Sequence, residues 1–209
     1  MYWPALHFLT YFGDSMLLIP TAIVMAVMMI WKSSERRTAW YWCLTFCATG
    51  AIVSLTKIAF MGFGFGSAHL NFTGISGHTA MSATLWPVML WLLSGRVSGT
   101  PRVMAVAFGY LLPVLVGVSR LLLSYHSTSE VITGLILGFT LSSAFLIGQR
   151  SVRLQGFSAL QLCLALLLPL LLLSQGRLAT TQQFLQRLSV QIAGIEHPWT
   201  RGELLKLRQ

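Results

Sequence analysis

Long apolar runs separated by short polar segments dominate the chain and predict its architecture. Six of these runs approach or reach the roughly 20 apolar residues that an α-helix needs to cross a bilayer. They lie near residues 15–31, 38–56, 76–94, 101–123, 130–149 and 157–174. The pattern therefore predicts an all-α fold, an integral membrane bundle with about six transmembrane helices.

The two ends of the chain depart from this pattern. Residues 1–13 are apolar and aromatic but too short to span, so we expect them in the membrane interface. The last residues, 175–209, are more polar, and their apolar positions follow helical spacing at Phe184, Leu188, Ile192 and Ile195. We therefore expect a membrane-embedded domain over residues 1–174, followed by a tail that is either an amphipathic surface helix or a flexible segment.

The composition favours a membrane protein over a soluble one. The 209 residues are 55% hydrophobic and only 9% charged, whereas a soluble domain has about a quarter charged residues. The formal net charge of +9 is compatible with nucleic-acid binding, but the basic residues are dispersed among apolar runs. We therefore expect membrane lipids, and no nucleic acid, as partners.

The basic residues also predict an orientation. The loops after the first, third and fifth predicted spans contain Lys32, Arg36, Arg37, Arg96, Arg102, Arg150 and Arg153. The loops after the second and fourth spans contain far fewer basic residues. The positive-inside rule places the first set in the cytoplasm and both termini outside. We expect a multi-pass protein of a bacterial inner membrane.

Chemically distinctive side chains collect at the opposite, non-cytoplasmic ends of four predicted spans. Lys57 ends the second span and His78 opens the third. Arg120 lies near the end of the fourth, while His126 and Glu130 open the fifth. A guanidinium in an apolar run is costly unless an anion or a polar cavity receives it. The arrangement therefore suggests phosphate chemistry at a membrane surface.

The spacing within two of these segments strengthens that interpretation. If a helix starts near His126, Glu130 lies one turn away and can hold one ring nitrogen while the other faces a substrate. Ser76-Gly77-His78 stands at the start of the third span, where the free N–H groups of a helix N-terminus favour an anion. Gly77 has no side chain and lets the anion come close to the backbone. Ser76 alone is equally compatible with an N-cap. Together the two segments predict an anion site.

The chain resembles the phosphatidic acid phosphatase type 2 superfamily of membrane lipid phosphatases over roughly residues 54–149. The family's third motif is Ser-Arg, five residues, His, three residues, Asp. Ser119-Arg120, His126 and Glu130 keep that spacing, with Glu in place of Asp. The second motif is Pro-Ser-Gly-His, and Ile75–His78 lacks only its proline.

The first motif of the family is only half present. It consists of Lys, six residues and Arg-Pro. Lys57 matches the lysine, but Gly64-Phe65 stands where Arg-Pro is expected. One phosphate-binding cation is therefore missing, and His69 in the following loop is one candidate replacement.

The resemblance implies a role for each matching residue. His126 is the expected nucleophile that forms a phosphohistidine, Glu130 orients its ring, and His78 protonates the leaving oxygen. The residues expected to bind phosphate are Lys57, Ser76, Gly77, Ser119 and Arg120. The mechanism needs no cofactor and no metal, and the sequence contains no carboxylate cluster typical of a metal site.

We therefore expect removal of phosphate from a lipid phosphate or pyrophosphate at the outer face of the membrane. Isoprenyl, lipid A and glycerophospholipid substrates all remain open. A lipid phosphotransferase would use the same residues, with a lipid hydroxyl replacing water as acceptor. A catalytically inactive lipid-binding or transport protein is the alternative from another class, favoured by the missing arginine and by Glu130.

Overall fold

A computed structural model describes residues 4–155, 161, 167 and 181–206. Within these residues the chain is helical, with short loops and two isolated β-bridges. The α-helices are α1 (Pro4–Tyr11), α2 (Ser15–Lys32), α3 (Arg37–Phe63), α4 (Gly77–Leu93), α5 (Thr100–Leu122), α6 (Thr128–Gly148), α7 (Thr181–Ala193) and α8 (Arg201–Lys206). The predicted all-α class is confirmed.

The first five predicted spans correspond to α2 through α6. Four helical segments of the described chain are long and apolar enough to cross a membrane: Ala5–Lys32, α3, α5 and α6. Helix α4 has 17 residues and lies at the centre of the bundle. The sixth predicted span, 157–174, falls almost entirely outside the described residues, so the count of six spans stays a prediction.

Helix α4 forms the centre because its neighbours can approach it closely. Twelve of its 17 residues are buried, and it packs against α2, α3, α5 and α6. Gly109 of α5 lies against Trp86 and Pro87, and a Cβ atom on Gly138 of α6 would clash with α4. These two glycines let the flanking helices reach the α4 backbone, which positions the N-terminus of α4 between the ends of α5 and α6.

Helix α3 extends beyond the predicted limit at residue 56. It continues to Phe63, so Lys57 lies within its last two turns rather than at a span end. Gly64 ends the helix with a left-handed conformation (φ 72°), which glycine adopts without strain. Its backbone packs against the ring of Trp199 from the tail.

Large apolar side chains point outward from several helices. Ile23, Trp40, Phe108 and Ile136 are all more than half exposed. Exposed apolar surface on this scale is unusual for a soluble monomer and is compatible with helices that contact lipid.

The basic loops meet at one end of the bundle. The N–H of Gln155 donates to the carbonyl of Lys32 (2.7 Å), and that of Ser34 donates to Arg153 (3.0 Å). Gly95, in the loop after α4, lies against Leu154. The predicted site residues Lys57, His78, Arg120, His126 and Glu130 lie at the opposite end, where α3 and α5 end and α4 and α6 begin.

The described part of the tail folds back onto α3. Helix α7 occupies the segment for which an amphipathic helix was predicted, and it buries Leu185 and Ser189. Phe184 and Ile192, two of the predicted apolar positions, remain exposed. The buried face is therefore displaced by one residue from the predicted one, because Gly62 of α3 admits the backbone of Ser189.

Candidate active site

A cavity of about 440 Å³ opens at the end of the bundle opposite the basic loops. Four of the predicted site residues line it, each from a different segment: Lys57, His78, Arg120 and His126. The tail forms another wall and contributes Arg201. The structure therefore brings the predicted cations and histidines together. This was expected because successive spans cross the membrane in opposite directions, so that these four span ends lie on the same side.

His126 and Glu130 are joined by a short hydrogen bond. Helix α6 begins at Thr128 with Ser127 as its N-cap, so His126 lies just outside the helix. Glu130 occupies the third helical position and forms a capping box with Ser127, whose N–H donates to Oε2 (3.2 Å). The same Oε2 lies 2.7 Å from Nδ1 of His126. The helix cap therefore holds the carboxylate against the imidazole.

Glu130 is fully buried and surrounded by donors. Its Oε1 accepts from the N–H of Thr73 (2.8 Å) and from the Thr73 hydroxyl (2.6 Å). The guanidinium of Arg201 donates to both carboxylate oxygens, at 2.8 and 2.7 Å. A buried carboxylate needs such partners to offset its desolvation. Glu130 is therefore fixed from three directions.

The hydrogen bond to Glu130 also defines the chemistry of His126. Because a carboxylate can only accept, Nδ1 carries the proton and Nε2 holds the free lone pair. Burial lowers the pKa of His126, and although the hydrogen bond to Glu130 raises it, the net shift is downward. The imidazole is consequently neutral, and able to act as a nucleophile, at neutral pH.

His78 lies in the first turn of α4 and lines the same cavity. Its Nε2 is 3.8 Å from Oδ2 of Asp14, an ion-pair distance rather than a hydrogen bond. Asp14 is the N-cap of α2 and accepts from the N–H of Met16 (2.8 Å). The start of α2 thus brings a carboxylate to the second histidine, which the sequence motifs did not indicate.

The two predicted cations have different partners. Nζ of Lys57 donates to Oε1 of Gln182 in α7 (2.8 Å). Arg120 donates from Nη1 to the hydroxyl of Thr10 (3.1 Å), and its guanidinium lies 4.4 Å from the ring centre of Tyr125. Nε of Arg120 is buried and has no acceptor among the described residues. A buried donor without a partner costs about 1–3 kcal/mol.

Ser76 and Ser119 use their hydroxyl groups within the fold. Both residues are fully buried. The Ser76 hydroxyl lies 2.9 Å from that of Thr79, and the Ser119 hydroxyl donates to the carbonyl of Val116 (2.7 Å). Neither serine is among the described residues that line the 440 Å³ cavity, whereas Gly77 lines the neighbouring cavity. Their predicted phosphate contacts stay a prediction.

A second cavity of about 260 Å³ adjoins the first. The two cavities share Lys57, His78 and Gln182 as lining residues. The remaining wall of the second cavity is largely apolar and includes Leu18, Ile19, Val53, Met81 and Leu185. A polar compartment therefore leads directly into an apolar one, between α2, α3, α4 and α7.

Asp14, Thr73 and Arg201 are the site residues that the sequence motifs missed. The missing first-motif arginine indicated that one cation was absent from the site. It did not indicate which residue elsewhere in the chain replaces that arginine. His69 is exposed in the loop after α3 and is not among the described residues lining the cavity. In the described residues, no three His, Cys, Asp or Glu side chains are grouped as metal ligands.

The described chain is a helical bundle in which two histidines and two cations line one cavity. Comparisons with known proteins identify its family. The model of the PAP2 superfamily matches residues 56–153. A Klebsiella pneumoniae protein described as an uncharacterized 22.5 kDa protein in cps region is 42% identical over 204 residues. That similarity covers 95% of this chain and 96% of the relative. No solved structure matches the chain significantly.

The chain belongs to the PAP2 superfamily. Members of this superfamily are phosphatases that act on phosphate esters, and the suspected family membership is confirmed. The general class of enzyme is therefore a phosphatase.

Proposed function

We propose that this protein removes phosphate from a lipid phosphate or diphosphate through a phosphohistidine formed on His126. One observation carries the proposal. The ring of His126 is held through Nδ1 by Glu130 while the residue lines a cavity that also contains Lys57 and Arg120. A fixed neutral imidazole beside two cations suits nucleophilic attack on a phosphoryl group.

Lys57 and Arg120 are the proposed phosphate ligands, together with Ser76, Gly77 and Ser119 as implied by the family motifs. The buried Nε of Arg120 supports this assignment, since a phosphate oxygen would supply the acceptor that the described residues do not. A guanidinium presents parallel donors that match two phosphate oxygens, whereas an ammonium acts as a point charge. Both charges offset the negative charge on the equatorial oxygens in the transition state.

The proposed reaction has two steps. Nε2 of His126 attacks phosphorus, the bond from phosphorus to the leaving oxygen breaks, and His78 donates a proton to that oxygen. Water then attacks the phosphohistidine and gives a proton to His78 as the N–P bond breaks and phosphate departs. The same residue thus acts as acid and then as base. Asp14 is positioned to stabilise the protonated form of His78.

The adjoining apolar cavity supports a lipid as substrate. A phosphate held by Lys57 and Arg120 would leave its ester side facing His78, which both cavities share. The first carbons of a lipid chain would then contact Leu18, Ile19 and neighbouring apolar side chains. A small water-soluble phosphate would gain nothing from that surface.

The location proposed for this activity is the outer face of a bacterial inner membrane. The cavity lies at the bundle end opposite the basic loops, which the positive-inside rule assigns to the cytoplasm. A lipid could then enter from the outer leaflet, with its phosphate at the level of the helix ends.

The lipid preference predicts a specific effect at Ile19, which lines the apolar cavity. Ile19→Trp should lower kcat/KM for phosphatidic acid about tenfold, because displacing roughly two methylene groups costs about 0.8 kcal/mol each. Glycerol 3-phosphate should be affected little. Phosphate release from both substrates would be measured with purified protein in detergent micelles.

Ile23→Trp is the matched control for this substitution. Ile23 lies one turn further along α2, is 60% exposed, and does not line either described cavity. Equal losses for Ile19→Trp and Ile23→Trp, or equal losses for both substrates, would contradict a lipid site in this cavity. Adding a lipid hydroxyl acceptor to the assay separates hydrolysis from phosphate transfer. Adding undecaprenyl diphosphate as a substrate tests the isoprenyl class. No release from any phosphate would leave a binding or transport protein.

The proposed role of His78 predicts a dependence on the leaving group. His78→Ala should lower kcat/KM, which reports formation of the phosphohistidine and not its hydrolysis, by about 10²–10⁴-fold for an alkyl phosphate, the usual contribution of general acid catalysis. An aryl phosphate with an acidic phenol as leaving group needs no proton and should lose much less. Steady-state rates for both ester types in the wild type and variant test this. An equal loss for both would show that His78 is not the proton donor.

A further inference from the structure

Arg201 lies outside every recognised motif, yet its guanidinium reaches the centre of the candidate active site. It belongs to α8 in the tail, 71 residues from Glu130 in the chain. Nη2 contacts both oxygens of Glu130 at 2.8 and 2.7 Å. Nη1 donates to the side-chain oxygen of Asn71 at 2.9 Å. The guanidinium is therefore held rigidly between the loop after α3 and the carboxylate behind His126.

Anchoring of the tail alone does not explain this contact. The tail is already attached by apolar packing, because Leu204 is buried with Phe60 and Met61. A backbone hydrogen bond from Trp199 to Met61 (2.8 Å) adds to that attachment. Buried ion pairs contribute little net stability compared with apolar packing. Because Arg201 pairs with the carboxylate that holds His126, the contact indicates a role in the reaction.

We propose that Arg201 is a positioning residue that fixes Glu130, and through it the nucleophilic ring of His126. The inference rests on the proposed phosphohistidine function. It also relates two departures from the family motifs, the missing first-motif arginine and the glutamate in the third motif. The longer side chain of Glu130 reaches its helix cap, His126 and Arg201 at once.

The charge of Arg201 has a second consequence for His126. The charged or titratable groups that interact with the imidazole are Glu130, Arg120, Lys57 and His78. Glu130 favours the protonated ring, whereas the two cations disfavour it. Arg201 shares the negative charge of Glu130, so its removal would leave the carboxylate free to stabilise the imidazolium. We expect the pKa of His126 to rise and less of the neutral nucleophile to be present at a given pH.

Steady-state kinetics of Arg201→Ala and Arg201→Lys test the positioning role. Arg201→Ala should lower kcat about 10–100-fold, the usual effect of losing a partner that orients an active-site ligand. KM should change less than about threefold, because the proposed phosphate ligands are retained. Arg201→Lys keeps the charge and should recover part of kcat. Arg187→Ala, an exposed arginine on α7, is the matched control and should retain wild-type kinetics.

A measurement that does not depend on turnover separates this inference from the proposed function. Diethylpyrocarbonate modifies neutral imidazole, so the pH dependence of His126 modification, followed by peptide mass spectrometry, reports its protonation. In Arg201→Ala the midpoint should move to higher pH, and in Arg201→Lys it should remain near the wild-type value. Thermal unfolding of each variant in detergent shows whether the fold is retained.

The outcomes are distinct. An unchanged midpoint together with an unchanged kcat in Arg201→Ala would overturn the inference. A loss confined to KM would also overturn it, because Arg201 would then bind phosphate directly. If the wild type hydrolyses no phosphate ester, the proposed function fails, while the shift of the His126 midpoint still decides whether Arg201 acts on Glu130. If Arg201→Ala does not fold, Arg201→Gln, which keeps hydrogen-bond donors but not the charge, takes its place: an unchanged midpoint together with an unchanged kcat in Arg201→Gln would overturn the inference.

Discussion

Replacing His126 with alanine is expected to abolish phosphate release and the covalent phosphoenzyme together. No other nucleophile among the described residues is held by a buried carboxylate beside Lys57 and Arg120. Loss of an enzyme nucleophile lowers kcat by on the order of 10⁶-fold. Turnover of a ³²P-labelled lipid phosphate, stopped with denaturant, should give acid-labile and base-stable label in the wild type and none in His126→Ala.

His69→Ala is the matched control for the labelling experiment. His69 is exposed in the loop after α3 and lies away from the cavity lining, so its variant should retain both label and activity. Label that persists in His126→Ala would assign the nucleophile elsewhere. The His78→Ala variant keeps His126. It should therefore still form the ³²P-labelled phosphoenzyme from a substrate whose leaving group needs no proton.

The fold could be predicted largely from hydrophobic periodicity, because the thickness of a bilayer fixes the length of an apolar helix. Helix α2, Ser15–Lys32, differs by one residue from the predicted span, 15–31. The end of α3 was predicted wrongly because Lys57 was interpreted as leaving the membrane. In the structure the helix continues, since a polar cavity receives the ammonium group and Gln182 accepts its hydrogen bond.

The site could be predicted only where its contacts are local in sequence. His126 and Glu130 are four residues apart, so a helix start brings them together whatever the rest of the fold does. Thr73 and Arg201 reach Glu130 from 57 and 71 residues away. Those contacts depend on how the loop after α3 and the tail fold back, which no spacing rule specifies. The tail was expected to be a surface helix or a flexible segment, and neither expectation placed a residue in the site.

The length of the Glu130 side chain gives rise to the second large expected effect. Its carboxylate accepts from His126, from the N–H of Ser127 in the helix cap, and from Thr73 and Arg201. Aspartate would withdraw the carboxylate by about 1.5 Å, one carbon–carbon bond. It can still approach His126 but cannot satisfy the more distant donors at the same time. We expect Glu130→Asp to lower kcat about 10–100-fold, as for other partners that orient an active-site group.

Removing the carboxylate altogether should be much more damaging. Glu130→Ala should lower kcat by about 10⁴-fold, the size of effect seen when the carboxylate that orients a catalytic histidine is replaced. It should also lower the free energy of unfolding by about 1–3 kcal/mol, because Thr73 and the partly exposed Arg201 lose their acceptor. Activity and thermal unfolding in detergent would be measured together, with Glu35→Ala, an exposed carboxylate at the opposite end, as control. Wild-type kcat in Glu130→Asp would show that the carboxylate needs to reach only His126, and wild-type kcat in Glu130→Ala would show that Glu130 serves the fold alone.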